Sequence, residues 1–97
     1  MITLEQIKEQ LREGNYTFPG CYPKYFVTWD GMPLSFIEAK NNFAEICRAH
    51  ITQDTNSGWY LAGVDINWED EDLRCIHSNK KIECAYPSDE MEEIDGL

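Results

Sequence analysis

Four consecutive carboxylates, Glu69, Asp70, Glu71 and Asp72, follow directly on an apolar run that ends at Trp68, and Asp65 precedes them within that run. Charges packed this closely repel one another unless solvent or a cationic partner screens them. Their chemistry is recognition of positive charge. Asp65-x-Asn67-x-Glu69 also opens like a calcium loop, with oxygen ligands at alternate positions. It fails further on, because Asp70 stands where that loop needs a glycine and Ile76 where it needs a bidentate glutamate. Cys75-x-His77 with Cys84, joined by Cys21, Cys47 or His50, offers soft ligands, but the spacing matches no zinc ribbon or finger. Small thiols commonly pack as core hydrophobes. No metal and no cofactor is expected, and a small metal-binding domain is the last of the alternatives. With two histidines, no nucleophile elbow and no glycine-rich phosphate loop, the residues propose no catalysis.

The charge balance narrows the partner. The net charge is −10, and its distribution is uneven: residues 1–64 carry seven acids against five bases, residues 65–97 eleven against three. Direct nucleic-acid binding is disfavoured, since that affinity comes from Lys and Arg neutralising phosphates and the chain has only eight of them. Apolar residues at 42% and aromatics at 12% argue for a globular chain despite the charge. At 97 residues it has material for one modest core. No transmembrane run is present, and the start at Met1 with Thr3-Leu4-Glu5 does not read as a signal peptide. Four cysteines without a paired motif fit a reducing cytoplasm.

The elements that must position the acids follow from local pattern. Thr3-Leu4-Glu5-Gln6 reads as a capping box, with Ile2 and Ile7 as a hydrophobic staple, and predicts a helix to about Glu13 with Leu4, Ile7 and Leu11 inward and Gly14 as its stop. The Glu5, Glu9 and Glu13 repeat reads as a solvated outer face. Asn15–Pro23 is a loop, with Tyr16, Phe18 and Tyr22 folded onto the domain. Lys24–Trp29 alternates as a strand, Asp30-Gly31 signals a hairpin, and Pro33 limits the return strand to a short edge. Ser35 and Glu38 form a second capping box, and Phe36, Ala39, Phe43, Ile46, Cys47 and Ile51 recur at a helical period, so Phe36–His50 is the expected principal helix. His50 is placed to complement the helix dipole or the last carbonyls there.

Trp59–Trp68 is the expected central strand, with Tyr60, Ala62, Val64, Ile66 and Trp68 on a buried face and Asp65 and Asn67 opposite. Leu73, Cys75 and His77, turning at Ser78-Asn79 into Ile82, Cys84 and Tyr86, predict a second hairpin. Ser88 then caps a short acidic helix closed by Gly96. The expectation is a single α+β domain over 1–87 with an acidic tail at 88–97. Its antiparallel sheet has about four to five strands, and two helices pack on one face in the order α-β-β-α-β-β-β.

On a strand, same-face residues recur at about 6.6 Å, and a duplex presents a charge about every 1.7 Å of axis, so rows of carboxylates can imitate phosphates. Asp65, Glu69, Asp70, Glu71 and Asp72, with Asp89, Glu90, Glu92, Glu93 and Asp95, are the candidate partner-binding residues, and Trp59, Trp68 or Tyr86 the candidate anchors. A small, strongly acidic α+β domain with capping-box helices, a hairpin and carboxylates gathered on one side resembles the phage-encoded anti-CRISPR proteins that act as DNA mimics. The resemblance lies in size, charge and element order. It implies a monomeric, non-enzymatic inhibitor in the host bacterial cytoplasm. Its acids, with Trp68, would occupy the Lys/Arg surface on which a CRISPR effector receives DNA, a Cascade-type complex ahead of Cas9. The alternative is an acidic interaction module or toxin-neutralising partner with an apolar contact face.

Overall fold

A computed structural model of the chain describes residues 2–17 and 20–85. Phe18, Tyr86, the tail helix and the acids Asp89, Glu90, Glu92, Glu93 and Asp95 lie outside the described residues.

Helix α1, Leu4–Glu13, forms as its local signals dictate. Thr3 Oγ1 accepts the Gln6 N–H at 3.2 Å, and Gln6 Oε1 accepts the Thr3 N–H at 2.9 Å, so two amides that the helix leaves orphaned are satisfied. Ile7 is fully buried, with Leu4 and Leu11 packed against the same core. Gly14 ends the helix at φ 98°, a conformation that favours glycine.

Strand β1, Lys24–Thr28, and strand β2, Pro33–Leu34, make the expected hairpin, with Phe26 opposite Leu34. Its connection runs from Thr28 to Met32. Thr28 Oγ1 accepts the Met32 N–H, and only Gly31 takes a positive φ.

The single helix expected over Phe36–His50 is two: α2, Phe36–Asn41, and α3, Phe43–Thr52. Asn42 breaks it, leaving helical geometry at φ −120°, ψ 31° while its amide donates to the Glu38 carbonyl and carboxylate. This is the local side-chain competition that makes Asn poor inside helices. It also leaves the second capping box half formed. Ser35 Oγ accepts the Glu38 N–H, but the Glu38 carboxylate serves Asn42, and the Ser35 N–H goes to Cys75 Sγ at 3.4 Å. In α3 the buried stripe is Ile46 and Ala49, and Ile51 stands 74% exposed rather than inward.

Strand β3, Leu61–Ile66, completes a three-stranded antiparallel sheet in the order β2-β1-β3, fewer strands among the described residues than expected. The central strand is β1, and β3 is an edge. Ile66, Val64 and Leu61 lie opposite Lys24, Phe26 and Thr28, the buried residues of β1, so they share its inward face. The register shifts between Val27 and Thr28, leaving Ala62 as an extra residue. This bulge flips the alternation, and Leu61, fully buried, takes the inward place that strict alternation assigns to Ala62.

The second expected hairpin reduces to one bridge between Arg74 and Lys81. Residues 76–79 turn tightly, with Asn79 at φ 59° and its N–H on the Cys75 carbonyl, so pairing stops almost where it starts. The segment still covers β2, through Ile76 N–H to Pro33 O at 2.8 Å, and it delivers Cys75 and Ile82 to the core.

Phe26 and Phe36 stack at 4.3 Å at the centre of that core, with Ile7, Leu34, Ile46 and Leu61 around them. Each such side chain contributes about 1.5–3 kcal/mol by leaving water. Among the described residues no helix is long and apolar enough to cross a membrane.

Candidate functional site

The acidic run is built on Asn67. One residue beyond β3, its N–H reaches Pro23 O at 3.0 Å and its carbonyl accepts the Ala85 N–H at 2.9 Å, which holds the side chain inside at 3% exposure. Its Nδ2 donates to the carbonyls of Asp70, Glu83 and Ile82 at 2.9, 3.1 and 3.3 Å, and its Oδ1 accepts the Asp70 N–H at 3.1 Å. Asp70 repeats the device one step on, its Oδ1 accepting the Asp72 N–H at 3.0 Å. Two short side-chain caps in succession thus bend the backbone that carries the carboxylates.

The acids therefore sit on a turn. The row of same-face carboxylates expected from a continued strand does not form, because the strand ends at Ile66 and Asn67 draws the chain back on itself. Glu69, Asp70 and Asp72 are exposed, and Glu71 is half-buried. Asp65, exposed on β3, folds its carboxylate onto the Ile66 N–H at 2.8 Å. Asp65 stands opposite Tyr25 in the β1–β3 pairing. Burial raises the pKa of the Tyr25 hydroxyl, and the negative charges of Asp65 and Asp70 raise it further, so all three groups share one local field.

Trp68 is not on a buried strand face. It is 46% exposed beside the acidic turn, its ring 4.7 Å from that of Tyr22 at a 56° tilt. Trp59 lies elsewhere, stacked on His77 at 3.9 Å and 5°. Among the described residues the ion pairs are Lys8–Glu5, Lys24–Glu13 and Arg48–Glu45, and no basic side chain meets Asp65, Glu69, Asp70 or Asp72.

Cys75, His77 and His50 have partners within the fold. Cys75 is 1% exposed; burial pushes its thiol up, but hydrogen bonds from Ser35, Ser78 and His77 outweigh it and bring it below its ordinary value. The His77 Nε2 is bonded to Gly58 O at 2.9 Å while its ring stacks on Trp59. Cys84 is half-buried and Cys21 exposed. Among the described residues no three His, Cys, Asp or Glu side chains gather to hold a metal. His50 does not serve the helix carbonyls. Its Nε2 accepts the Leu61 N–H at 3.0 Å, its ring stacks on Tyr60 at 4.5 Å, and burial lowers its pKa.

Asn67, Tyr22 and Tyr25 are the participants that pattern reading missed. The signal for Asn67 was there, an amide three residues before Asp70 at a strand end, the spacing of a side-chain-capped turn. No comparable signal existed for the tyrosines. Compared with family models, with curated proteins and with solved structures, the chain has no significant match in any of the three.

Proposed function

We propose that the protein is a non-enzymatic inhibitor that acts as a DNA mimic, its acidic turn occupying the Lys/Arg surface on which a DNA-handling complex receives its substrate. The observation that carries this reading is a cluster of exposed carboxylates on an internally braced turn, with no basic side chain of the described residues neutralising Asp65, Glu69, Asp70 or Asp72. A charge cluster held this way stores repulsion that a cationic partner relieves. The exposed Trp68 beside it supplies the aromatic contact common at interface centres. Within this reading the partner is a CRISPR effector, a Cascade-type complex ahead of Cas9.

The test is a gel-shift competition in which the protein is added to each effector before target DNA. Inhibition should be stoichiometric and should weaken as salt rises. Replacing Glu69–Asp72 by their amides keeps the Asn67 and Asp70 acceptor geometry, so the fold should persist while binding falls by about 100-fold or more. Tight binding by the amide variant, indifferent to salt, would overturn the proposal. It would favour instead an interaction module that binds through an apolar face, for which Trp29 at 50%, Met32 at 41% and Ile76 at 45% exposure are among the exposed apolar side chains.

A further inference from the structure

We propose that the outer edge of β3 is a docking strand for an extended basic peptide segment of a protein partner, which adds to the sheet opposite Val64. The register fixes which backbone groups are on offer. Asn67 N–H to Pro23 O faces β1, and alternation along the antiparallel pair then turns Asp65 and Gly63 toward β1 and Ile66 and Val64 outward. Two of the outward groups are already used. The Ala62 carbonyl accepts the Ile2 N–H at 3.2 Å, and the Ile66 N–H is covered by Asp65 Oδ1. Between them, the Val64 N–H and C=O point out together, and no described residue pairs with them. One residue with both groups available is the unit to which an antiparallel strand adds.

Space for that strand exists. Two adjoining hollows of about 380 and 440 Å³ run along the edge between β3 and α1, and they share Gln10 and Val64. The charge of their walls selects the occupant. Glu9, Glu13 and Asp65 line them, and the one lysine present, Lys24, is buried and already bonded to Gln10 and Glu13. A second copy of this chain pairing edge to edge would set these carboxylates against themselves, which is how edges are kept from self-association. A strand with alternating Lys or Arg meets the same walls with opposite charge. This surface shares Asp65 with the acidic cluster but not the turn at 69–72, so a variant of that turn alone tells the proposal apart from the DNA-mimic reading.

The probe is acetyl-Lys-Val-Lys-Val-Lys-Val-amide, titrated into the 15N-labelled full chain. The amides of Ala62–Ile66 should shift, and exchange of the Val64 N–H should slow by about tenfold or more. The charge-matched Lys-Pro hexapeptide, which lacks alternate N–H donors, should bind about tenfold more weakly, and the Glu-Val hexapeptide should not bind. The double substitution Glu9→Gln, Glu13→Gln should weaken the Lys-Val peptide about threefold or more without altering the free spectrum elsewhere. The amide variant of Glu69–Asp72 should bind it as the unmodified chain does. Equal affinity for the Lys-Pro peptide, or loss of binding in that amide variant, would overturn the proposal, since either means charge alone holds the peptide. Val64 protection that instead rises with protein concentration, together with a doubled mass by light scattering, would assign the edge to self-association and overturn it as well.

Discussion

The imidazole Nε2 of His50, on the last turn of α3, accepts the backbone N–H of Leu61 at 3.0 Å where β3 begins. A ring nitrogen that accepts is unprotonated, so this bond, the burial of the ring and its stacking on Tyr60 all favour neutral imidazole.

The pH dependence follows from that. The folded-state pKa of His50 lies below the ordinary 6.5, so its contribution to stability is fully present above about pH 6.5 and is lost as pH falls toward the folded value. In urea melts between pH 7.5 and 5, the His50→Phe variant should lack this part of the slope. It should also cost about 1–3 kcal/mol at pH 7.5, because the Leu61 N–H is left buried without a partner. A variant with the same slope as the unmodified chain would contradict the assignment.

Asn67 should be the most sensitive polar position. Asn67→Ala removes the acceptor of the Asp70 N–H and the donor shared by three carbonyls, an expected loss of about 2–4 kcal/mol in urea melts. Asn67→Asp should be worse despite its equal volume, since it aims a carboxylate at those same carbonyl oxygens.

Lys24 tests whether a buried cation or its stem matters more. Its side chain is 7% exposed, with Nζ on Gln10 Oε1 at 2.6 Å and 5.4 Å above the Phe36 ring centre. Lys24→Met keeps the stem and should stay within about 1.5 kcal/mol, whereas Lys24→Ala opens a cavity and should cost about 2–4 kcal/mol. Glu13→Gln should change stability by less than about 1 kcal/mol, because that carboxylate is 64% exposed.

Two glycines should respond in opposite directions. A Cβ on Gly63 meets nothing within 4 Å, so Gly63→Ala should be neutral or raise stability by about 0.5 kcal/mol through the unfolded chain. Gly58 sits at φ 82°, and a Cβ there would lie 3.1 Å from the His77 ring, so Gly58→Ala should lower the thermal midpoint and disturb the Trp59 stack. Thermal melts with near-ultraviolet circular dichroism read both.

The α+β class, the first helix with its capping box, the Asp30-Gly31 hairpin and the excess of acid after residue 64 were legible in the residue order, because each depends on neighbours within a few positions or on composition alone. Where the structure departs from the pattern, a partner distant in the chain decides. Alternation along β3 gave Ala62 the inward place, but the bulge opposite Val27 and Thr28 gave it to Leu61, and a bulge is a property of the pair of strands. A capping box was legible at Ser35, but its N–H was claimed by Cys75, forty positions on. The same holds at the candidate site. The sequence itself determined that four carboxylates stand together after residue 68. That they lie on a turn was decided by Asn67, whose buried amide has to find its hydrogen bonds in the distant segment at Ile82 and Glu83 because an unpaired polar group inside costs more than bending the chain.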